Sequence, residues 1–251
     1  MIVYAPAMAI ATDTVVQATG VRKIYGAGDN AVEALRGVSV SFPQGQFAAV
    51  MGPSGSGKST LRHNLAGLDL PTEGDVELAG TSIIGMSDRD LTRLRREKIG
   101  FVFQFFNLLP MLTAEQNIAL PLALAGKKPD RSFLKGLLES VGLADRATHK
   151  PSELSGGQQQ RVAIARSFVT KPAVIFADEP TGNLDSKTSG EILTLMQSSA
   201  AEHGQTIVMV THDARAAAYA DRIVFLGDGL VVADSPRMTQ DAILDQIKSL
   251  E

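Results

Sequence analysis

The sequence predicts an α/β protein: a mainly parallel sheet with a strand-rich N-terminal part and an inserted helical subdomain. Three observations carry that reading. Short apolar runs alternate with helical patterns through the last third of the chain, as strands joined by crossover helices do. The run Phe47-Ala48-Ala49-Val50-Met51 is apolar throughout, the pattern of a strand covered on both faces, and a glycine-rich loop and a helical pattern follow it directly. From about Ser87 to Leu143 the periodicity turns helical, with Leu91 and Leu94, then Ile118 and Leu122, on shared faces.

The elements follow in order. Alternation at Val38, Val40 and Phe42 marks a strand with one buried face, ahead of the apolar run at Phe47. Lys127-Lys128-Pro129-Asp130 breaks the helical segment. After Ser155 a helix runs to about Thr170, a strand covers Ala173 to Ala177, and a helix begins at Ser186. Strands at Thr206 to Val210 and Arg222 to Leu226 enclose another helix. Gly227-Asp228-Gly229 turns a hairpin into Leu230 to Ala233, and Met238 to Leu250 forms a terminal helix. Residues 1–13 read as an N-terminal extension and 14–251 as one domain, with a core of 14–86 and 171–251 and a helical insert of 87–170.

Composition narrows the function classes. A chain of 251 residues suits one or two domains, and 44% hydrophobic with 20% charged residues is an ordinary globular mix. The formal net charge of -3 supplies no general pull toward nucleic acid, so no nucleic-acid partner is expected. The absence of cysteine excludes disulfides, thiolate metal sites and a thiol nucleophile. His63, His149, His203 and His212 lie far apart, without metal-ligand spacing. No apolar stretch approaches the ~20 residues of a membrane span, and Met1 to Ala11 lacks the preceding basic residues of a signal peptide.

Three motifs carry chemistry. Gly52-Pro53-Ser54-Gly55-Ser56-Gly57-Lys58-Ser59 fits the phosphate-loop pattern GxxxxGK[ST], set between an apolar strand and a helix as its mechanism requires. Backbone N–H groups and the helix N-terminus converge there on phosphate, Lys58 adds a full charge, and Ser59 is placed to ligate Mg2+. Ala173-Val174-Ile175-Phe176-Ala177-Asp178-Glu179 ends an apolar strand in two acids: Asp178 to hold Mg2+ through water, Glu179 to polarise an attacking water. Leu154-Ser155-Gly156-Gly157-Gln158 opens a helix and offers a second set of N–H groups to an anion.

With these three motifs in this order, from about Val15 to Val232, the sequence resembles the ATP-binding cassette ATPases, whose signature is the Ser155 to Gln158 turn. The resemblance implies a P-loop NTPase-type sheet with an antiparallel N-terminal β subdomain, and ATP and Mg2+ as ligands. It implies that Tyr25 stacks on adenine, that Thr60 joins the phosphate site, and that Gln104 reaches Mg2+ and water while linking core to insert. Asp185, with Leu184, resembles the loop that crosses a dimer interface. His212 resembles the switch histidine that meets the γ-phosphate and orders Glu179. The resemblance further implies a homodimer with two ATP molecules between the phosphate loop of one copy and the Ser155 turn of the other.

It also implies a separate integral-membrane permease and a location in the cytoplasm, peripheral on the inner face of the plasma membrane. Phe105 to Pro110, Leu112 to Ile118, Leu120 to Leu122 and Asp178 to Asp185 resemble the lipoprotein-release and macrolide-export group, which pairs with permeases having a large extracytoplasmic domain. Export or extraction is the leading expectation; a cell-division-type signalling complex or an importer are the alternatives. Phe103, Phe105, Phe106, Leu108, Leu109 and Pro110 either line a groove for a membrane-protein helix or form insert core. Arg93, Arg95, Arg96 and Lys98 read as a solvated helix face. Arg62 departs from the group, which places an apolar residue there.

Overall fold

The computed structural model describes residues 14–249, so the expected extension over 1–13 lies outside the described residues. The chain opens with β1 (Thr14–Tyr25) and β2 (Val32–Pro43), then β3 (Phe47–Met51) and α1 (Lys58–Leu65). Next come β4 (Glu73–Leu78), β5 (Thr81–Ser82), α2 (Asp88–Lys98) and β6 (Ile99–Phe103). The helices α3 (Ala114–Leu124), α4 (Arg131–Ser140) and α5 (Gly156–Phe168) lead to β7 (Val174–Asp178). The rest alternates: α6 (Ser186–His203), β8 (Thr206–Val210), α7 (Ala214–Ala217), β9 (Arg222–Gly227), β10 (Leu230–Pro236) and α8 (Gln240–Lys248).

Two sheets result. The smaller is antiparallel, in the order β2-β1-β4-β5; the larger runs β10-β9-β3-β8-β7-β6. In the larger sheet every pair is parallel except the β9-β10 hairpin, whose turn is Gly227-Asp228-Gly229. The unbroken apolar run of β3 has a simple cause. Ala48 and Val50 pack on one face against β1, β2 and α1 through Val16, Phe42 and Leu61, while Phe47, Ala49 and Met51 pack on the other against Ile192, Met196 and Ile243. A strand between two apolar layers has no polar face to show.

One boundary requires correction. Residues 87–170 are not a wholly helical insert, because Ile99–Phe103 is a strand at the edge of the larger sheet, paired in parallel with β7 from Ile99↔Val174 to Phe103↔Asp178. Gly100 allows it to sit against α5: a Cβ there would stand 2.6 Å from the Ser167 carbonyl oxygen. Leu91 of α2 joins the layer between the sheets and Ile164 of α5 the layer beneath the larger one. The insert proper is the cluster of Ala114, Ile118, Leu134, Leu138, Leu143 and Val162. Arg93 pairs with Glu97 on the solvated face of α2, and Arg95 reaches back to cap the Gly67 carbonyl at 2.6 Å.

Candidate active site

Four adjacent parallel strands deliver the sequence-predicted residues to one edge of the sheet. β3 leads into the phosphate loop, β8 into Thr211 and His212, β7 into Asp178 and Glu179, and β6 into Gln104. Loops following the C-terminal ends of neighbouring parallel strands share one crevice.

The phosphate loop spans Gly52 to Ser59 and passes into α1. Its glycines are steric necessities at two points. A Cβ on Gly52 would lie 2.0 Å from the Leu226 carbonyl oxygen, and one on Gly57, at φ +99°, would lie 2.6 Å from that of Ala34. Gly57→Ala is expected to destabilise the fold by more than about 1 kcal/mol, read as a lower urea midpoint at unchanged slope. Gly57 also leaves the N-terminus of α1 without a side-chain cap, so its N–H groups are available to an anion. Lys58 Nζ donates to the carbonyls of Gly52 at 2.8 Å and Pro53 at 2.7 Å. Burial draws the Lys58 ammonium below its usual range, and the Glu179 charge pulls the other way. Among the described residues Ser56 Oγ, buried inside the loop, has no partner.

Asp178 closes β7, and Glu179 follows with φ +45°, a left-handed conformation unusual for a side chain of this size. The Glu179 N–H donates to Val210 O at 2.9 Å, which ties the strained turn to β8. Its carboxylate is held from three directions: Thr211 Oγ1 donates to Oε2 at 2.9 Å, the His212 N–H donates to Oε1 at 2.9 Å, and His212 Nδ1 lies 2.6 Å from Oε1. Glu179 is only 18% exposed, whereas the His212 side chain stands out into solvent. Thr211 was not among the predicted residues; its position directly after an all-buried strand and before His212 was the available signal.

Gln104 follows β6 and turns toward the loop after Glu179, its Nε2 donating to Asn183 Oδ1 at 3.3 Å while Asn183 Nδ2 donates back to its carbonyl. Gly182 leaves room for it, since a Cβ would sit 2.8 Å from Gln104 Nε2. Ser59, Gln104 and Asp178 supply two neutral oxygens and one carboxylate. That donor set suits a hard divalent ion shared with phosphate, which takes few protein ligands.

Tyr25 ends β1 with its ring 41% exposed and its hydroxyl donating to Asp69 Oδ2 at 2.7 Å; its phenol also interacts with Thr60 of α1. Lys23 Nζ donates to Asp69 Oδ1 at 2.6 Å and lies 5.0 Å from the Tyr25 ring centroid, so the ring is fixed from two sides. Burial pushes the Asp69 carboxyl up, but the hydrogen bonds from Lys23 and Tyr25 outweigh it and leave the group below its ordinary value. A carboxylate depressed in the folded state stabilises above its unfolded pKa of about 3.9 and stops doing so as pH falls through the folded value. Asp69→Asn is expected to melt below wild type near neutral pH, with the two curves converging in acid.

Ser155 caps α5 through a reciprocal pair: its Oγ accepts from the Gln158 N–H at 3.3 Å and Gln158 Oε1 accepts from the Ser155 N–H at 2.9 Å. Gly156 and Gly157 form the first turn, and a Cβ on Gly157 would lie 2.4 Å from Thr188 Cγ2 of α6. Asp185 caps α6, accepting from the N–H groups of Lys187 and Thr188, both at 3.0 Å, and from Thr188 Oγ1 at 2.6 Å. Among the described residues no hydrogen bond or ion pair joins the Ser155 turn to the phosphate loop of the same chain. The apolar cluster near Gln104 divides: Leu108 packs into the insert core, while Phe105, at 73% exposed, and Leu109 face outward. Asn117 fixes that loop with bonds to Leu109, Leu112 and Thr113.

A family model described as "ABC transporter" matches residues 35–182, a stretch containing the phosphate loop, Gln104, the Ser155 turn and the Asp178-Glu179 pair. The chain belongs to the ABC transporter family. This ABC ATPase domain is 48% identical over 215 residues to the macrolide export ATP-binding/permease protein MacB of Bdellovibrio bacteriovorus, covering 86% of this chain and 33% of that one. The ABC domain thus spans about a third of the length of its MacB relatives. It is also 48% identical over 219 residues to the lipoprotein-releasing system ATP-binding protein LolD of Alcanivorax borkumensis, covering 86% of this chain and 96% of that one. Among solved structures it is similar to a Methanocaldococcus jannaschii ATP-binding cassette, captured as a dimer with ADP and Pi after hydrolysis. The TM-score there is 0.78 at 43% identity, covering 89% of this chain and 99% of that one. Among the described residues of the ABC domain no helix is long and apolar enough to cross a membrane.

Proposed function

We propose that this cassette hydrolyses ATP as one half of a homodimer and drives a membrane permease for export or lipoprotein extraction. The observation that carries the proposal is the meeting, at neighbouring strand ends, of an anion-binding loop, a metal-type acid and a carboxylate oriented by three contacts. The N–H groups of Gly52 to Ser59, with Lys58 and Thr60, cradle the phosphates, and Tyr25 offers its exposed ring to adenine. Ser59, Gln104 and Asp178 would hold Mg2+, which when bound neutralises phosphate charge. Glu179 accepts the proton of the attacking water, and His212 fixes Glu179 and faces the γ-phosphate. The Ser155 to Gln158 turn and Asp185 serve the nucleotide of the partner copy, a reading supported by the dimeric solved relative.

The names of the relatives MacB and LolD, for macrolide export and lipoprotein release, support the permease as partner and a place at the cytoplasmic face of the membrane. Exposed Phe105 and Leu109, beside Gln104, offer an apolar face on which such a partner, of the kind with a large extracytoplasmic domain, would bear. Two measurements test the proposal. Purified protein releases phosphate from ATP with Mg2+ and doubles in mass by light scattering under non-hydrolysing conditions; a monomer at every nucleotide concentration would end the homodimer reading. Affinity capture from detergent-extracted membranes brings down a spanning protein; reproducible recovery of soluble partners alone would end the permease reading.

A further inference from the structure

The helix that carries Lys58 and Ser59 also carries a cation into the interior. Arg62 of α1 is 5% exposed, and its Nη2 lies 3.0 Å from Asp178 Oδ2. Among the described residues its Nε and Nη1 have no partner, and Nη2 also lies 3.0 Å from His63 Nε2. Burying a guanidinium so incompletely bonded is unfavourable unless a carboxylate repays it, and Asp178 is the carboxylate present. Two buried polar atoms of Asn64, on the same helix, are likewise unpartnered.

An arginine does not lose its proton in a protein, so Asp178 never presents its full negative charge here. Oδ2 faces the guanidinium, which leaves Oδ1 as the oxygen able to accept from water on a metal. We propose that Arg62 is a positioning residue that fixes Asp178 and weakens its hold on Mg2+, raising the Mg2+ concentration at which nucleotide and metal bind together. The inference rests on the reading of Asp178 as the metal-orienting acid.

The test is a titration of Mg2+ into protein with a non-hydrolysable ATP analogue, followed by analogue binding and not by turnover. Arg62→Leu is expected to lower the half-saturating Mg2+ concentration by about sixfold or more, the lower bound Coulomb's law gives at the dielectric of water for a guanidinium and a doubly charged ion roughly 8 Å apart. Affinity for the analogue without Mg2+ does not rise, since the same charge attracts its phosphates, and Arg62→Lys stays close to wild type. Arg62→Gln, which keeps a polar side chain without the charge, replaces the Leu variant if that fails to fold. An unchanged or higher Mg2+ requirement in the neutral variants overturns the proposal. Asp178→Asn separates the two levels: if it leaves the Mg2+ dependence untouched, the reading of Asp178 itself falls; if it raises the requirement while Arg62→Leu does nothing, only the role of Arg62 falls.

Discussion

Glu179→Gln is expected to lower ATP turnover by about 10²- to 10⁴-fold, the contribution of a positioned general base, while leaving ATP binding intact. The substitution is nearly isosteric, and an amide oxygen can still accept from Thr211 Oγ1 or from the His212 N–H. What it cannot do is take a proton from water. The left-handed backbone at Glu179 and its bond to Val210 are independent of the side chain, so the turn survives. Phosphate release in the steady state gives the rate and equilibrium binding of a labelled analogue gives the affinity. Hydrolysis near the wild-type rate would remove Glu179 from the chemistry; a parallel loss of affinity would recast it as a binding residue. The same variant, with ATP bound and uncleaved, is expected to hold the dimer closed.

Lys58→Ala acts at the earlier step and is expected to weaken ATP-analogue binding by about 10²-fold or more, since truncating one member of a close charge pair leaves the other unpaired in a desolvated site. Nζ donates to the Gly52 and Pro53 carbonyls. Those two bonds also brace the loop, so loss of binding alone would not separate charge from architecture. Lys58→Gln supplies the separation: its amide keeps an N–H donor for those carbonyls and loses the charge. Binding restored in Lys58→Gln would point to bracing; binding lost in both, with melting temperatures close to wild type, assigns the effect to the ammonium.

Much of this arrangement was legible in the residues, for physical reasons that also explain the exceptions. The phosphate loop and the Asp178-Glu179 strand stand out because the backbone must do something only certain residues allow, and because strands covered on both faces are apolar without interruption. β6 escaped notice because Ile99 to Phe103 runs straight on from α2, with no glycine or proline between them, into further aromatic residues. Its identity is decided by a neighbour far away in sequence, β7. The Arg62-Asp178 pair is hidden for a similar reason: Arg62 stands out as a departure from an apolar position, but its partner lies far away in sequence and only the packing of α1 against the sheet brings the two together. Asp185 was read for what it meets across an interface, yet its carboxylate is already engaged as a helix cap.

The contact between Gly157 and Thr188 has a mechanical consequence. Thr188 touches the first turn of α5 with its methyl group and holds Asp185 with its hydroxyl, so the Ser155 turn and the Asp185 cap form a single stiff jaw. A jaw ordered during folding loses little further freedom when a second copy closes on it. Nucleotide binding energy would then be transmitted as displacement of the whole insert, with Phe106, whose ring lies against Gly156, next to the jaw and the exposed Phe105 beside it.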